Sequence, residues 1–176
     1  MHDERKSPLQ QVAGHGFAHE AQADESDVIR HCDILTRVET LNGLRRLLAA
    51  ILLIGMSGTL VELLLLRHLE DPVQWIPVAL LGCGLLAVPW HARARSAGSA
   101  AVVRLLMVLF VAAGFAGVYY HFTANVEFQK ETDPSLAGRA LVWKALSATV
   151  PPALAPGVML QLGLVGLAYT YRHKER

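Results

Sequence analysis

The sequence predicts an all-α, polytopic membrane protein. The architecture expected is a four-transmembrane-helix bundle with an N-terminal amphipathic cytoplasmic helix and a short interfacial helix in the outer loop. Three observations carry this. The hydrophobic fraction of the 176 residues is 53%, and the apolar residues fall in blocks where a soluble domain would space them periodically. Four blocks approach the ~20 residues that a helix needs to cross a ~30 Å hydrocarbon core. The strand-length alternation of a transmembrane barrel is missing.

The elements follow in order. Residues 1–23 are small and polar and read as a mobile cytoplasmic tail, with His15 and His19 at ligand spacing for one helix face. No apolar signal core lies in the first forty residues, so no cleaved leader is expected. Residues 24–43 open on acidic side chains and carry Val28, Ile29, Leu35, Val38 and Leu41 among Arg and Glu. That pattern suits an amphipathic helix lying on the membrane or on a partner. The membrane domain covers 44–171, with spans at about 44–66, 75–90, 100–120 and 152–171, and residues 172–176 form the C-terminal tail. The second span is short and bracketed by Pro77 and Pro89, so a re-entrant segment is the competing reading. In the outer loop, 121–151, Asp133-Pro134 offers a helix start ahead of a stripe of Leu136, Ala140, Trp143 and Leu146.

Charge sets the threading. The formal net charge of +1 hides a segregation: Arg37, Arg45 and Arg46 precede span one, Arg93, Arg95 and Arg104 surround the second connection, and Arg172, Lys174 and Arg176 follow span four. Basic loops stay cytoplasmic, so both termini are expected there. The alanine- and leucine-rich spans suit a bacterial inner membrane. Trp75, Trp90, Tyr119, Tyr120, Tyr169 and Tyr171 fall at span ends and suit an aromatic belt, with His91 facing headgroups. Cys32 and Cys83 are poorly placed to pair.

Function is far less marked. The sequence holds no Walker loop, CxxC, HExxH, GxSxG or dinucleotide fingerprint, which points away from an enzyme. No run of like charge suits a nucleic-acid arm. Gly55 and Gly58, Gly114 and Gly117, and Gly163 and Gly166 recur at a spacing of three and are expected to mark helix-packing faces. Glu62 and His121 each stand four and seven residues beyond a glycine pair, on the same helix face. With Gln161 they form a candidate polar pocket. His121, His68 and Glu127 are the candidate metal ligands, imidazole and carboxylate suiting zinc, copper or iron and a histidine pair suiting haem. No cofactor is named by the sequence. The leading reading is an accessory or structural subunit, with the lipid bilayer and other membrane chains, or copies of itself, as partners. An outer-surface metal or haem redox module using His121, His68 and Glu62 is one alternative. A small-ligand or proton-coupled transporter using Glu62, His121 and Gln161 is another.

Overall fold

Away from water a backbone must satisfy its own polar groups, and a helix does so within one segment. The computed structural model of the chain is accordingly helical. It describes the backbone of residues 8–67, 69–149 and 152–171, and side chains from 34 onward within those ranges. The helices are α1 (Pro8–Leu65), α2 (Trp75–Ala94), α3 (Ala97–Thr132), α4 (Gly138–Leu146) and α5 (Gly157–Tyr169), with a 3-10 turn at Pro72–Gln74 before α2. No β-strand occurs among the described residues. The stretches Ile34–Leu65, Pro72–Ala94 and Ala97–Thr132 are each long and apolar enough to cross a membrane. The protein is therefore an all-α membrane helical bundle.

Contacts divide the chain into two units, Met1–Arg45 and Arg46–Arg176. In the first, every described side chain from Ile34 to Leu44 is exposed, including Leu35, Val38 and Leu41. His15, His19 and Cys32 have side chains outside the described residues. The second unit holds the core. Leu52 and Met56 of α1, Leu81 and Val88 of α2, Val103, Met107 and Phe110 of α3, and Met159 and Leu162 of α5 pack together. Facing away from it, Ile54, Leu86, Leu105 and Phe115 are between 63% and 77% exposed. Surface of that kind belongs against acyl chains, since a soluble monomer does not carry so large a patch.

Several boundaries differ from those read in the sequence. α2 is one uninterrupted helix of 20 residues, about 30 Å at the helical rise. It ends where Arg95 adopts a left-handed conformation, φ 47°, its N–H donating to the His91 carbonyl. The third apolar block continues past Tyr120 to Thr132. Its last three turns are helix in place of the expected loop. The fourth block is shorter than expected. Its helix begins at Gly157 and has 13 residues, about 20 Å, because Pro152 to Pro156 is taken up by turns. Asp133 is the C-cap of α3, its N–H donating to the Gln129 carbonyl at 2.9 Å, and not the N-cap of a following helix. Its carboxylate accepts from the Ser135 hydroxyl at 2.6 Å and the Ser135 N–H at 3.1 Å, and α4 starts at Gly138 after an uncapped Ala137. The buried face of α4 is Leu141 and Ala145, while Trp143 is 73% exposed. The apolar stripe is thus displaced from the one the spacing suggested.

The bundle closes by backbone approach. An added Cβ at Gly114 would stand 2.7 Å from the Leu160 amide nitrogen, and one at Gly163 would stand 2.7 Å from both the Met107 carbonyl oxygen and Val111 Cγ2. Gly117 faces Pro156, Gly166 faces Met107, Gly55 faces Leu162, and Gly84 of α2 faces Met56 and Phe110. Gly58 opens onto nothing within 4 Å. Small residues permit such crossings where lipid supplies no hydrophobic drive. Gly163→Ala is therefore expected to lower stability by about 1–3 kcal/mol through overpacking, read as a lower melting temperature in detergent. Gly82→Ala, with open space around its α2 position, is expected to be neutral or to gain up to ~1 kcal/mol from helix propensity.

Candidate functional site

α3 steps along one face in intervals of three and four through Arg104, Met107, Val111, Gly114, Gly117, His121 and Asn125. Residues so spaced share one side of a helix. The chain returning through α4 and α5 meets this face in reverse order. Asn125 Nδ2 donates to the Ala145 carbonyl at 3.2 Å, and His121 Nδ1 lies 3.0 Å from the Pro152 carbonyl oxygen. Pro156 and Leu160 follow at the glycines, then Gly163 and Gly166 at Met107. Arg104 Nη2 donates to the Thr170 carbonyl at 2.9 Å. Polar side chains thus hold both ends of a seam whose middle is close backbone packing.

At the α2–α3 end the contacts are buried. His91 is 0% exposed, and its Nδ1 lies 2.8 Å from Ser99 Oγ. The Tyr169 ring stands edge-on to the imidazole at 5.6 Å. Ser96 and Ser99 form the reciprocal cap of α3, each backbone N–H donating to the other's hydroxyl at 3.2 Å. Ser99 has one proton to give and also lies 2.9 Å from the Ser96 carbonyl. Both contacts are satisfied when Nδ1–H donates to Ser99 Oγ and the hydroxyl donates onward to Ser96. The headgroup-facing role expected of His91 is corrected by this burial. Tyr169, 4% exposed, likewise leaves the aromatic belt, while Trp75, Trp90, Tyr119, Tyr120 and Tyr171 are all exposed.

The residues singled out in the sequence have separate surroundings. His121 is half-buried against the returning chain. Glu62 and Gln161 are exposed on α1 and α5. No hydrogen bond or ion pair joins the Glu62 carboxylate to another described residue. Glu127 is exposed on the last turns of α3, and His68 lies outside the described residues. Among the described residues no three His, Cys, Asp or Glu side chains are grouped to hold a metal ion. Cys83 is free and exposed.

Sequence reasoning passed over Ser99 and Asn125 and set His91 at the headgroups. For Asn125 a signal was present: it stands four residues beyond His121 on the glycine face. For His91 there was none, because its burial depends on side chains from two other helices. Asp133, in the turn between α3 and α4, has its carboxyl held below the usual value of 3.8 by its hydrogen bonds from Ser135, the hydroxyl first. That turn favours the ionised form.

Asn125 is the buried tie between α3 and α4. Asn125→Ala leaves the Ala145 carbonyl without its buried donor, a loss of about 1–3 kcal/mol. Amides of α4 are expected to exchange with solvent faster in this variant, measured by hydrogen–deuterium exchange, while those of α2 keep their protection. No family model, no curated protein and no solved structure matches the chain.

Proposed function

We propose that this protein is a non-catalytic membrane subunit that works by packing against other membrane chains. One observation carries the reading: the buried His91 Nδ1 and Asn125 Nδ2 are bonded within the protein's own helices. His91 holds Ser99, and Asn125 holds the chain at Ala145. What faces outward is apolar, as at Ile54, Leu86 and Phe115, together with isolated polar groups such as Glu62 and Gln161. In the N-terminal unit Leu35, Val38 and Leu41 are exposed, and an amphipathic helix there would lie on the bilayer or on a partner. Extracted gently and run on a native gel, the protein is expected to migrate with other chains identifiable by mass spectrometry. A monodisperse, solitary monomer would overturn the proposal. An absorbance band of haem or a stoichiometric metal in the same preparation would favour the redox alternative.

The threading belongs to the same proposal. Both termini lie in the cytoplasm, as the arginines flanking α1, α2 and α5 support, and residues 152–171, α5 with the turns before it, make a fourth crossing within a bacterial inner membrane. An impermeant maleimide is expected to label Ser135→Cys in intact cells, while a tag after Arg176 stays protected until the cells are opened. Labelling of that tag from outside would remove α5 from the set of crossings.

A further inference from the structure

Among the described residues, one side chain of the Asp, Glu, His, Lys and Arg types is buried, and it is His91, 0% exposed. Three helices close on it. On α2 its own carbonyl accepts from the Arg95 N–H at 2.9 Å. From α3, Ser99 Oγ stands 2.8 Å from Nδ1, with the Ser96 hydroxyl 3.1 Å behind it. From α5 comes the Tyr169 ring, edge-on at 5.6 Å and followed by the buried Thr170. The described charged groups at this end of the bundle are all cations. They are Arg46 on α1, Arg93 and Arg95 at the end of α2, and Arg104 on α3, bonded to the Thr170 carbonyl. In the second unit the described carboxylates are Glu62, Glu70, Asp71, Glu127, Glu131 and Asp133. They stand at the opposite ends of α1, α2 and α3, and the sequence has no Asp or Glu from 72 to 126. The tail after Tyr171 lies outside the described residues.

These surroundings suit a neutral imidazole. With Nδ1–H donating to Ser99, the ring carries no charge and Ser99 keeps its bond to the Ser96 carbonyl. A second ring proton would put a full positive charge on a side chain withdrawn from solvent, beside cations and away from every described carboxylate. A buried charge is tolerated only when it is paired. In water an imidazole takes that proton at about pH 6.5. Acid therefore favours whichever state brings the ring to water, and the closed contact weakens as pH falls. One proton changes such an equilibrium by at most about tenfold per pH unit. Ser99 is also half of the reciprocal cap of α3. Loss of the contact thus loosens the first turn of α3 and the Tyr169 end of α5 together.

We propose that His91 is a proton-sensitive latch. With the imidazole neutral it holds α2, α3 and α5 together, and charging it opens that end of the bundle while the Asn125 end stays closed. The inference stands apart from the association reading, since it concerns packing within one chain.

The test is hydrogen–deuterium exchange on the full chain in lipid nanodiscs, at about pH 7.5 and about pH 5.5, either side of free imidazole. Each rate is corrected for the intrinsic effect of pH on exchange. Amides 99–104 of α3 and 166–171 of α5 are expected to exchange about tenfold faster in acid, within the range one proton allows. Amides 125–132 and 138–146, around Asn125, are expected to keep their protection. His91→Asn retains an N–H for Ser99, and His91→Phe retains a ring against Tyr169, but neither takes a proton. The acid response is expected to vanish in both and to persist in His121→Gln. Protection that does not change with pH would overturn the latch, as would an acid response that survives in His91→Asn and His91→Phe. Should neither variant fold, nitrogen NMR of the labelled imidazole decides, in a chain with His91 as its sole histidine. The ring is expected to stay neutral for as long as the amides of α3 and α5 stay protected. A charged His91 in a protected bundle sinks the inference.

Discussion

The architecture depends on one contact, the antiparallel seam between α3 and the chain that returns along it. Lipid is as apolar as leucine, so burying side chains gives these helices little reason to meet. What remains is dispersion at close range, and that requires backbones to approach. Gly114 and Gly163 are where they do, with the Leu160 amide and the Met107 carbonyl in the space that a side chain would occupy. α1 and α2 then complete the bundle around this pair, Met56 and Phe110 meeting at Gly84. The polar ties at the two ends keep the seam in register. Asn125 at Ala145 and Arg104 at Thr170 are sixty-six residues or fewer apart in sequence from their partners, yet each falls on the same α3 face.

The polar ties also help explain how a histidine sits inside the bundle. Burial of His91 is supported at one of its two ring nitrogens, Nδ1, by Ser99, and across the ring by the edge-on Tyr169. Ser99 belongs at the same time to the cap of α3, so one residue closes the α2–α3 connection and receives the imidazole. His121 at the other end lies against a carbonyl of the turn that precedes α5. That turn has prolines at 152 and 156, whose missing amide protons lessen its need for backbone partners.

The fold class was legible because apolar blocks of membrane length admit few structures. Helix ends were not. Tyr120 and the polar residues after it look like the end of a span, but α3 continues because α4 packs on its last turns through Asn125, a long-range contact that no local pattern encodes. The start of α5 was placed too early because Pro152 to Pro156 is apolar enough to read as membrane while its prolines favour turns. The glycine spacing was visible, but spacing names no partner. Gly58 carries the same signature as Gly114 and faces open space, whereas Gly84, outside any pair, faces Met56 and Phe110. His91 was misplaced for the same reason. A histidine next to Trp90 at a span end suits the headgroups, and only Ser99 and Tyr169 together draw it inside.

α3 has a mechanical property that follows from its length. It is one helix of 36 residues, about 54 Å long, and contains no proline at which a sharp kink would form. Its two glycines of least local stiffness, Gly114 and Gly117, are braced from the side by Leu160 and Pro156. A rod supported at its weakest point transmits displacement rather than absorbing it. A push on the α3–α4 hairpin at Thr132 would therefore reach Ser99 as a tilt of the whole helix. His91 and Tyr169 are the contacts at that far end.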